Sequence, residues 1–424
     1  MSAVALELLI DGHWHKAGTL EVPDEAAGPS GQSFFEYDFD FLDTWVDSGR
    51  FDVAVSLTMP LEFGPTVRTS WPTFLDDLRP MGNARTWWLN RFRLPDTPSS
   101  DFRLLRDGTV APIGNVRIRE AVPTERTEPR RFPASAVVER EHDFITWAAD
   151  HGAQVGGATG AGGESPKLLL RRTTNDEVWI DVGQDAPDDA DALVLVKFAR
   201  GKSERDRVIL RSEYVYYRAL QKLGIDTIAA DGMELREGKN GPSLWLPRFD
   251  HRGGTRLGVE SMYSLLGAAP GTRLRHQDVL SALQKVCTGD WPAVLTEYVR
   301  RDVLNLVFGN SDNHGRNTSV VKSATEVSLA PIYDFAPMKM DLEGLTRTTT
   351  WGTFERGGDV DWKKLLPTFG EHEATLRASL RELAEQLAEL PRLLRKLGLP
   401  KETMEFPALG LAETAARLRV WGLR

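Results

Sequence analysis

A chain of 424 residues is too long for one ordinary small domain, and length alone points to two or three cores. Its 41% hydrophobic and 27% charged residues make a globular composition, and no stretch nears the ~18 apolar residues that span a bilayer. Lys and Arg number 52 against 61 Asp and Glu, and this net charge of -9 excludes a globally basic nucleic-acid surface while leaving room for a local patch.

A single cysteine, Cys287, excludes an intramolecular disulfide and any all-cysteine metal site. The start, Met1 to Glu7, lacks the basic region of a secretory signal, so a reducing cytoplasm is the expected location. The 12 Trp residues read mainly as core packing.

In chain order, Leu6–Ile10, the turn signal Asp11-Gly12 and Gly18–Val22 predict a strand, a turn and a strand. His13 and His15 form a His-x-His, but Trp14 between them and the lack of a further His or Cys cluster argue against zinc. Mixed charge and two prolines across Arg117–Arg131 predict a linker and a domain boundary. Val137, Val138, Phe144, Ile145 and Ala148 predict a helix over 135–150. Candidate strands follow at Lys167–Arg171, Val178–Ile180 and Ala192–Phe198, then a helix over 205–223 closed by Gly224. Leu244–Phe249 predicts a strand, with Pro247 at an edge or an end. Beyond residue 275 the pattern is mainly helical, notably over 293–309 and 371–397. Leu376, Leu380, Leu383, Leu387 and Leu390 predict a core-facing stripe, with a partner-binding face as the alternative.

The most informative stretch is Gly309–Asn317, an unbroken run of polar and glycine residues between a helical pattern and the predicted strand Ser319-Val320-Val321. Asp312 and Asn317 stand five apart, the interval at which protein kinases place a proton-accepting Asp and a metal-binding Asn. Asp312, His314 and Asn317 also fit the Asp-x-His-x-x-Asn loop of lipid-kinase type. Asp334 follows in Leu329–Phe335, which predicts an apolar strand ending in a second carboxylate. Asn317 and Asp334 together supply hard oxygen ligands for a divalent metal. Taken singly, each of these residues reads more readily as a turn residue or a strand-end cap; together and in this order they favour the functional reading.

Lys197 sits mid-strand, where burial is costly unless it meets an anion. Nucleotide phosphates and Glu213 on the next helix are the expected anions, and an exposed strand face is the alternative. Gly156–Lys167 is glycine-rich and suited to cradling phosphates with backbone N–H groups. It lacks the Gly-Lys-Ser/Thr ending of a Walker loop, and Ser165 breaks the Gly-x-Gly-x-x-Gly pattern.

The ordered motifs are Pro166-Lys167, Val196-Lys197-Phe198, Ser212-Glu213-Tyr214, Arg248-Phe249-Asp250, Ser311–Asn317 and Pro331–Asp334. This order resembles the HipA-type serine/threonine kinases, toxins of bacterial toxin–antitoxin modules, over residues 150–340. The resemblance implies an α+β, protein-kinase-like two-lobe fold with an extra N-terminal α/β subdomain. Its divisions are 1–130 for the N-terminal subdomain and linker, 131–250 for a strand-rich N-lobe, and 251–424 for a helical C-lobe. The implied cofactors are ATP and Mg²⁺. Asp312 would act as base, supported by His314, and Asn317 and Asp334 would hold the metal. Gly160, Gly162, Gly163, Lys167, Lys197, Glu213, Arg248 and Phe249 would surround the nucleotide. Implied partners are a protein substrate such as an aminoacyl-tRNA synthetase and a helix-turn-helix antitoxin, with DNA reached only indirectly and no membrane. Pro247 stands where the family often has Glu. Gly160 stands at the family's self-phosphorylated serine, which moves self-modification to Thr159 or Ser165, or removes it. Two other readings stay open: a nucleotide-binding co-repressor module with weak catalysis, and a small-molecule phosphotransferase.

Overall fold

The computed structural model describes residues 2–123, 129–150, 165–183 and 190–424. The N-terminal sheet contains β1 (Ser2–Ile10), β2 (His13–Val22), β3 (Ser33–Tyr37), β4 (Thr66–Arg68) and β5 (Val116–Ile118). Its order is β4-β3-β2-β1-β5, and every pairing is antiparallel. Asp11 and Gly12 both take positive φ, 49° and 80°, the geometry that a two-residue hairpin needs. Val4, Leu6, Leu8 and Ile10 of β1 are buried in this unit's core.

The expected linker begins later than its charge pattern suggests. Arg117 and Ile118 belong to β5, and Arg117 Nε and Arg119 Nη1 donate to the buried Glu7 carboxylate at 2.7 and 2.6 Å. Those charges meet a partner of opposite sign from β1, which local composition could not reveal. Residues 124–128 lie outside the described residues.

The second sheet contains β6 (Phe132–Pro133), β7 (Lys167–Arg172), β8 (Glu177–Trp179), β9 (Ala192–Phe198), β10 (Glu234–Gly238) and β11 (Gly241–Pro247). Its order is β10-β11-β9-β7-β8-β6. Pro247 ends β11, a strand flanked on both sides, so the strand-end reading holds. The helix expected over 135–150 is two helices, α1 (Ala134–Val138) and α2 (His142–Asp150). The break falls at Arg140, whose φ is +51°. Helix α3 (Glu204–Lys222) packs on this sheet. Its start is a capping box in which Ser203 Oγ accepts from Asp206 N at 3.2 Å while Asp206 accepts from Ser203 N at 3.1 Å.

The C-terminal half is helical around a three-stranded sheet of β12 (Gly258–Ser261), β13 (Ser319–Lys322) and β14 (Val327–Leu329). Helix α4 (His276–Val286) precedes α5 (Trp291–Phe308), which ends at Gly309 with φ 71°. The helix expected over 371–397 is also two, α6 (Glu373–Leu387) and α7 (Leu390–Lys396), with Pro391 in the first turn of the second. The five leucines of its stripe are buried in the large C-terminal core. Among the described residues no helix is long and apolar enough to cross a membrane.

The N-terminal unit is fastened to the β12–β13 sheet by buried polar contacts. Glu260 accepts from Ser56 Oγ at 2.5 Å and Leu57 N at 2.9 Å, and Lys322 Nζ donates to Ala54 O at 3.1 Å. Asp77 accepts from Ser261 N at 2.8 Å. Burial raises the Asp77 carboxyl to about 7, with Arg316 opposing the rise. The folded state therefore binds more protons at this group than the unfolded state between pH ~4 and ~7. Its stabilising contribution is full below that window and is lost as pH rises through it. Asp77→Asn should flatten the change in unfolding free energy between pH 5 and 8 by up to about 3 kcal/mol relative to the parent. His276, whose imidazole burial depresses to about 4, acts in the opposite sense in both proteins, so the difference between them is the quantity to measure.

Candidate functional site

A polar cleft of about 200 Å³ lies between the second sheet and the C-terminal half. Lys167, Lys197 and Glu213 line one wall, and Asp312, His314 and Asp334 line the other. Strand register explains the first wall. Lys167 on β7 pairs directly with Lys197 on β9, so both side chains leave the same face of the sheet. Like charges placed opposite each other are unfavourable unless carboxylates intervene.

Two carboxylates do. Lys197 Nζ donates to both oxygens of Glu213, at 2.8 and 2.7 Å, and also to Asp334. Lys167 Nζ reaches the other Asp334 oxygen at 3.2 Å. Burial disfavours the Lys197 ammonium, but Asp334 and Glu213 overcome it and hold the group protonated well above its usual range. Burial likewise works against the Asp334 anion, and the two lysines outweigh it, keeping the carboxyl far below its usual range. Lys167 is shifted down, first by burial and then by Lys197, with Asp334 opposing. Tyr217, one helical turn beyond Glu213, donates to Glu213 at 3.0 Å and fixes its carboxylate.

Asp334 does not end a strand, contrary to the expectation. Strand β14 stops at Leu329, two residues before Pro331. The backbone is held instead by Ile332 N donating to Asp226 O at 3.0 Å and Thr227 Oγ1 donating to Ile332 O at 2.7 Å. Asp334 has φ 51°, a left-handed conformation that costs a non-glycine residue about 1 kcal/mol and turns the carboxylate toward the lysines. Phe335 N donates to Tyr217 Oη at 3.3 Å directly behind it.

The Gly309–Asn317 loop is built from its own amides. Asp312 N donates to Asn310 Oδ1 at 3.3 Å, and Asn317 Nδ2 donates to the Asp312 carbonyl at 2.7 Å. Asn313 donates to Thr349 O at 2.7 Å and accepts from Thr348 N at 3.0 Å. His314 Nε2 stands 3.5 Å from Asp312 Oδ1. Asn317 is not on the cleft lining. Its Oδ1 is buried and has no hydrogen-bond partner among the described residues. An orphaned carbonyl oxygen beside a carboxylate loop suits a hard cation, which takes few protein oxygens and completes its shell with water and phosphate. The described residues hold no cluster of three His, Cys, Asp or Glu, so a denser metal cage is not built from them.

A narrow recess of about 40 Å³ adjoins the cleft and shares Lys167, Lys197, Glu213 and Asp334 with it. Ile113, Leu195, Ile228, Leu246 and Phe249 make its apolar lining, and Arg248 also lines it. Phe249 stacks on Tyr333 with centroids 5.0 Å apart. Arg248 Nε donates to Asp250 at 2.9 Å, and Asp250 accepts from Gly114 N at 2.9 Å, which ties this strand end to the N-terminal unit.

The structure thus brings together Lys167, Lys197, Glu213, Asp312, His314 and Asp334, with Arg248 and Phe249 on the adjoining recess. Gly160, Gly162, Gly163 and Thr159 lie outside the described residues. Ser165 lines the cleft. Sequence reading missed Tyr217, although its spacing of four from Glu213 was available. It also missed Arg200, which bridges the cleft mouth to Asp341 at 2.8 Å and Glu343 at 2.6 Å.

Two family models match the chain: the HipA-like C-terminal domain over residues 159–390 and the HipA N-terminal domain over 13–119. No curated protein matches it. Among solved structures, the chain is similar to HipA of Shewanella oneidensis, solved in a toxin–antitoxin complex with HipB and operator DNA. The identity is 17%, covering 98% of this chain and 97% of that one, with a TM-score of 0.68. It also matches the Helicobacter pylori proinflammatory kinase CtkA at 14% identity, covering 64% of this chain and 92% of that one, with a TM-score of 0.42. The fold is α+β and two-lobed in the protein-kinase manner, with an additional N-terminal unit.

Proposed function

The chain belongs to the HipA family, and from that premise we propose that it is an ATP- and Mg²⁺-dependent serine/threonine protein kinase acting as a growth-inhibiting toxin. The observation that carries the reading is the convergence of the Lys197–Glu213 pair, Asp334 and Asp312 on one cleft. Lys197, oriented by Glu213, would contact the nucleotide phosphates together with Lys167. The glycine-rich segment with Gly160, Gly162 and Gly163 would cover them. The base would enter the recess beside Arg248 and Phe249, displacing Phe249 from Tyr333.

Asn317 and Asp334 would hold Mg²⁺, which when bound neutralises charge on the phosphate oxygens. The two lysines that now engage Asp334 would then turn to phosphate, leaving its carboxylate free for the cation. Asp312 would orient the acceptor hydroxyl and take its proton, and His314 would steady the Asp312 carboxylate. The proposed units are 1–130, 131–250 and 251–424, with the cleft between the last two. A translation component such as an aminoacyl-tRNA synthetase is the proposed acceptor, and the cytoplasm the proposed location. A helix-turn-helix antitoxin is the proposed partner and would carry any contact with DNA. The presence of HipB and operator DNA in the Shewanella complex supports this. Ser165, on the cleft wall, is the candidate for self-modification among the described residues.

The test is release of ADP from Mg-ATP by the purified chain and its Lys197→Met variant. The parent should turn ATP over, and the variant should lose about 10²-fold or more with the loss of a charge aimed at the phosphates. Equal turnover by both would refute the assignment.

A further inference from the structure

The structure assigns Arg316 as a positioning residue that braces the Asp312–Asn317 loop and the Asp334 segment against the N-terminal unit. This rests on the kinase reading of the cleft and goes beyond it by making the N-terminal unit part of what holds the reacting groups in place.

Four contacts carry the inference. Arg316 is buried, with 5% of its surface exposed, and sits between His314 and Asn317. Its Nη2 donates to the Asp76 carbonyl at 3.0 Å, across 240 residues of sequence. Asp76 belongs to the short helix Leu75–Leu78 of the N-terminal unit, and its neighbour Asp77 pins that helix to Ser261 at the end of β12. On the other side, the Arg316 carbonyl accepts from Tyr333 Oη. Tyr333 immediately precedes Asp334, and its hydroxyl also lies 2.6 Å from Ser319 Oγ. One residue therefore links the helix at 75–78, the loop bearing Asn317 and the segment bearing Asp334.

The electrostatics point the same way. A guanidinium removed from water needs anionic or carbonyl partners. Arg316 finds them in the N-terminal unit, where the buried Asp77 carboxylate attracts it. Arg316 Nε and Asp77 Oδ1 have no hydrogen-bond partner among the described residues, so the attraction acts through space. The contact is directional at one point, the Asp76 carbonyl, and that point fixes the height of the loop. Among the described residues, the loop's other hydrogen bonds stay within the C-terminal half. Met262 N donates to Gly315 O and Thr318 O, both at 3.0 Å, and holds the loop only to the end of β12.

A displacement of about 1 Å in a positioned group can cost ~10²-fold in rate. Arg316→Met keeps the length and removes the donors. In the full chain it should raise hydrogen exchange over 314–318 and 333–335, with exchange in the second sheet unchanged. It should lower kcat by about tenfold or more and raise the Mg²⁺ concentration for half-maximal turnover, with ATP binding measured in EDTA unchanged. Arg316→Lys, which restores one donor toward Asp76, should recover part of each change, and it carries the same readouts if the methionine variant fails to fold.

Exchange that is unaltered, or that rises evenly through the C-terminal half, would overturn the assignment, and so would unchanged kcat and Mg²⁺ requirement. If the parent chain turns over no ATP, the kinase reading falls, and the exchange comparison alone then decides the role of Arg316 as brace.

Discussion

Asp334→Asn is expected to lose Mg²⁺-dependent ATP turnover by about 10²–10³-fold or more, because it replaces the anionic oxygen ligand of the cation with a neutral amide. The fold should survive. Lys197 keeps both oxygens of Glu213. Lys167, whose ammonium burial and Lys197 already disfavour, can give up its proton when the carboxylate is gone. An intact thermal transition with undiminished turnover would remove Asp334 from the metal site.

Asp312→Ala should separate binding from chemistry. Phosphoryl transfer needs little covalent help, so acceleration comes from positioning and charge. General-base assistance is worth ~10²–10⁴-fold, roughly 3–5 kcal/mol of barrier. The variant should hold ATP within about tenfold of the parent, because Lys167, Lys197, Asn317 and Asp334 are untouched. Transfer should fall by about two orders of magnitude or more. Any toxicity on overexpression should vanish with it. Toxicity that persists at equal protein levels would favour a module that acts by binding.

Much of this was legible in the chain because the signals were local. Asp11-Gly12 announced the first hairpin, and the apolar run around Lys197 announced a strand whose lysine needed anions. Glu213 followed as the nearest helical carboxylate, and the structure pairs the two. Breaks inside periodic segments were less visible. Arg140 and Glu389 interrupt helices whose apolar spacing continues across the break, and no glycine marks either one. The end of β14 was overrun because Ala330, Ile332 and Tyr333 are apolar enough to prolong a strand, while Pro331 stops it. Arg316 and Asp76 could not have been joined at all, since a contact across 240 residues leaves no spacing to read.

The most direct measurement is a phosphoproteomic count. A dephosphorylated bacterial extract is incubated with Mg-ATP and equal amounts of the parent chain or Asp312→Ala. The account predicts new phosphoserine or phosphothreonine sites on a small set of proteins with the parent and none with the variant. The same sites appearing with both proteins, or with neither, would contradict it.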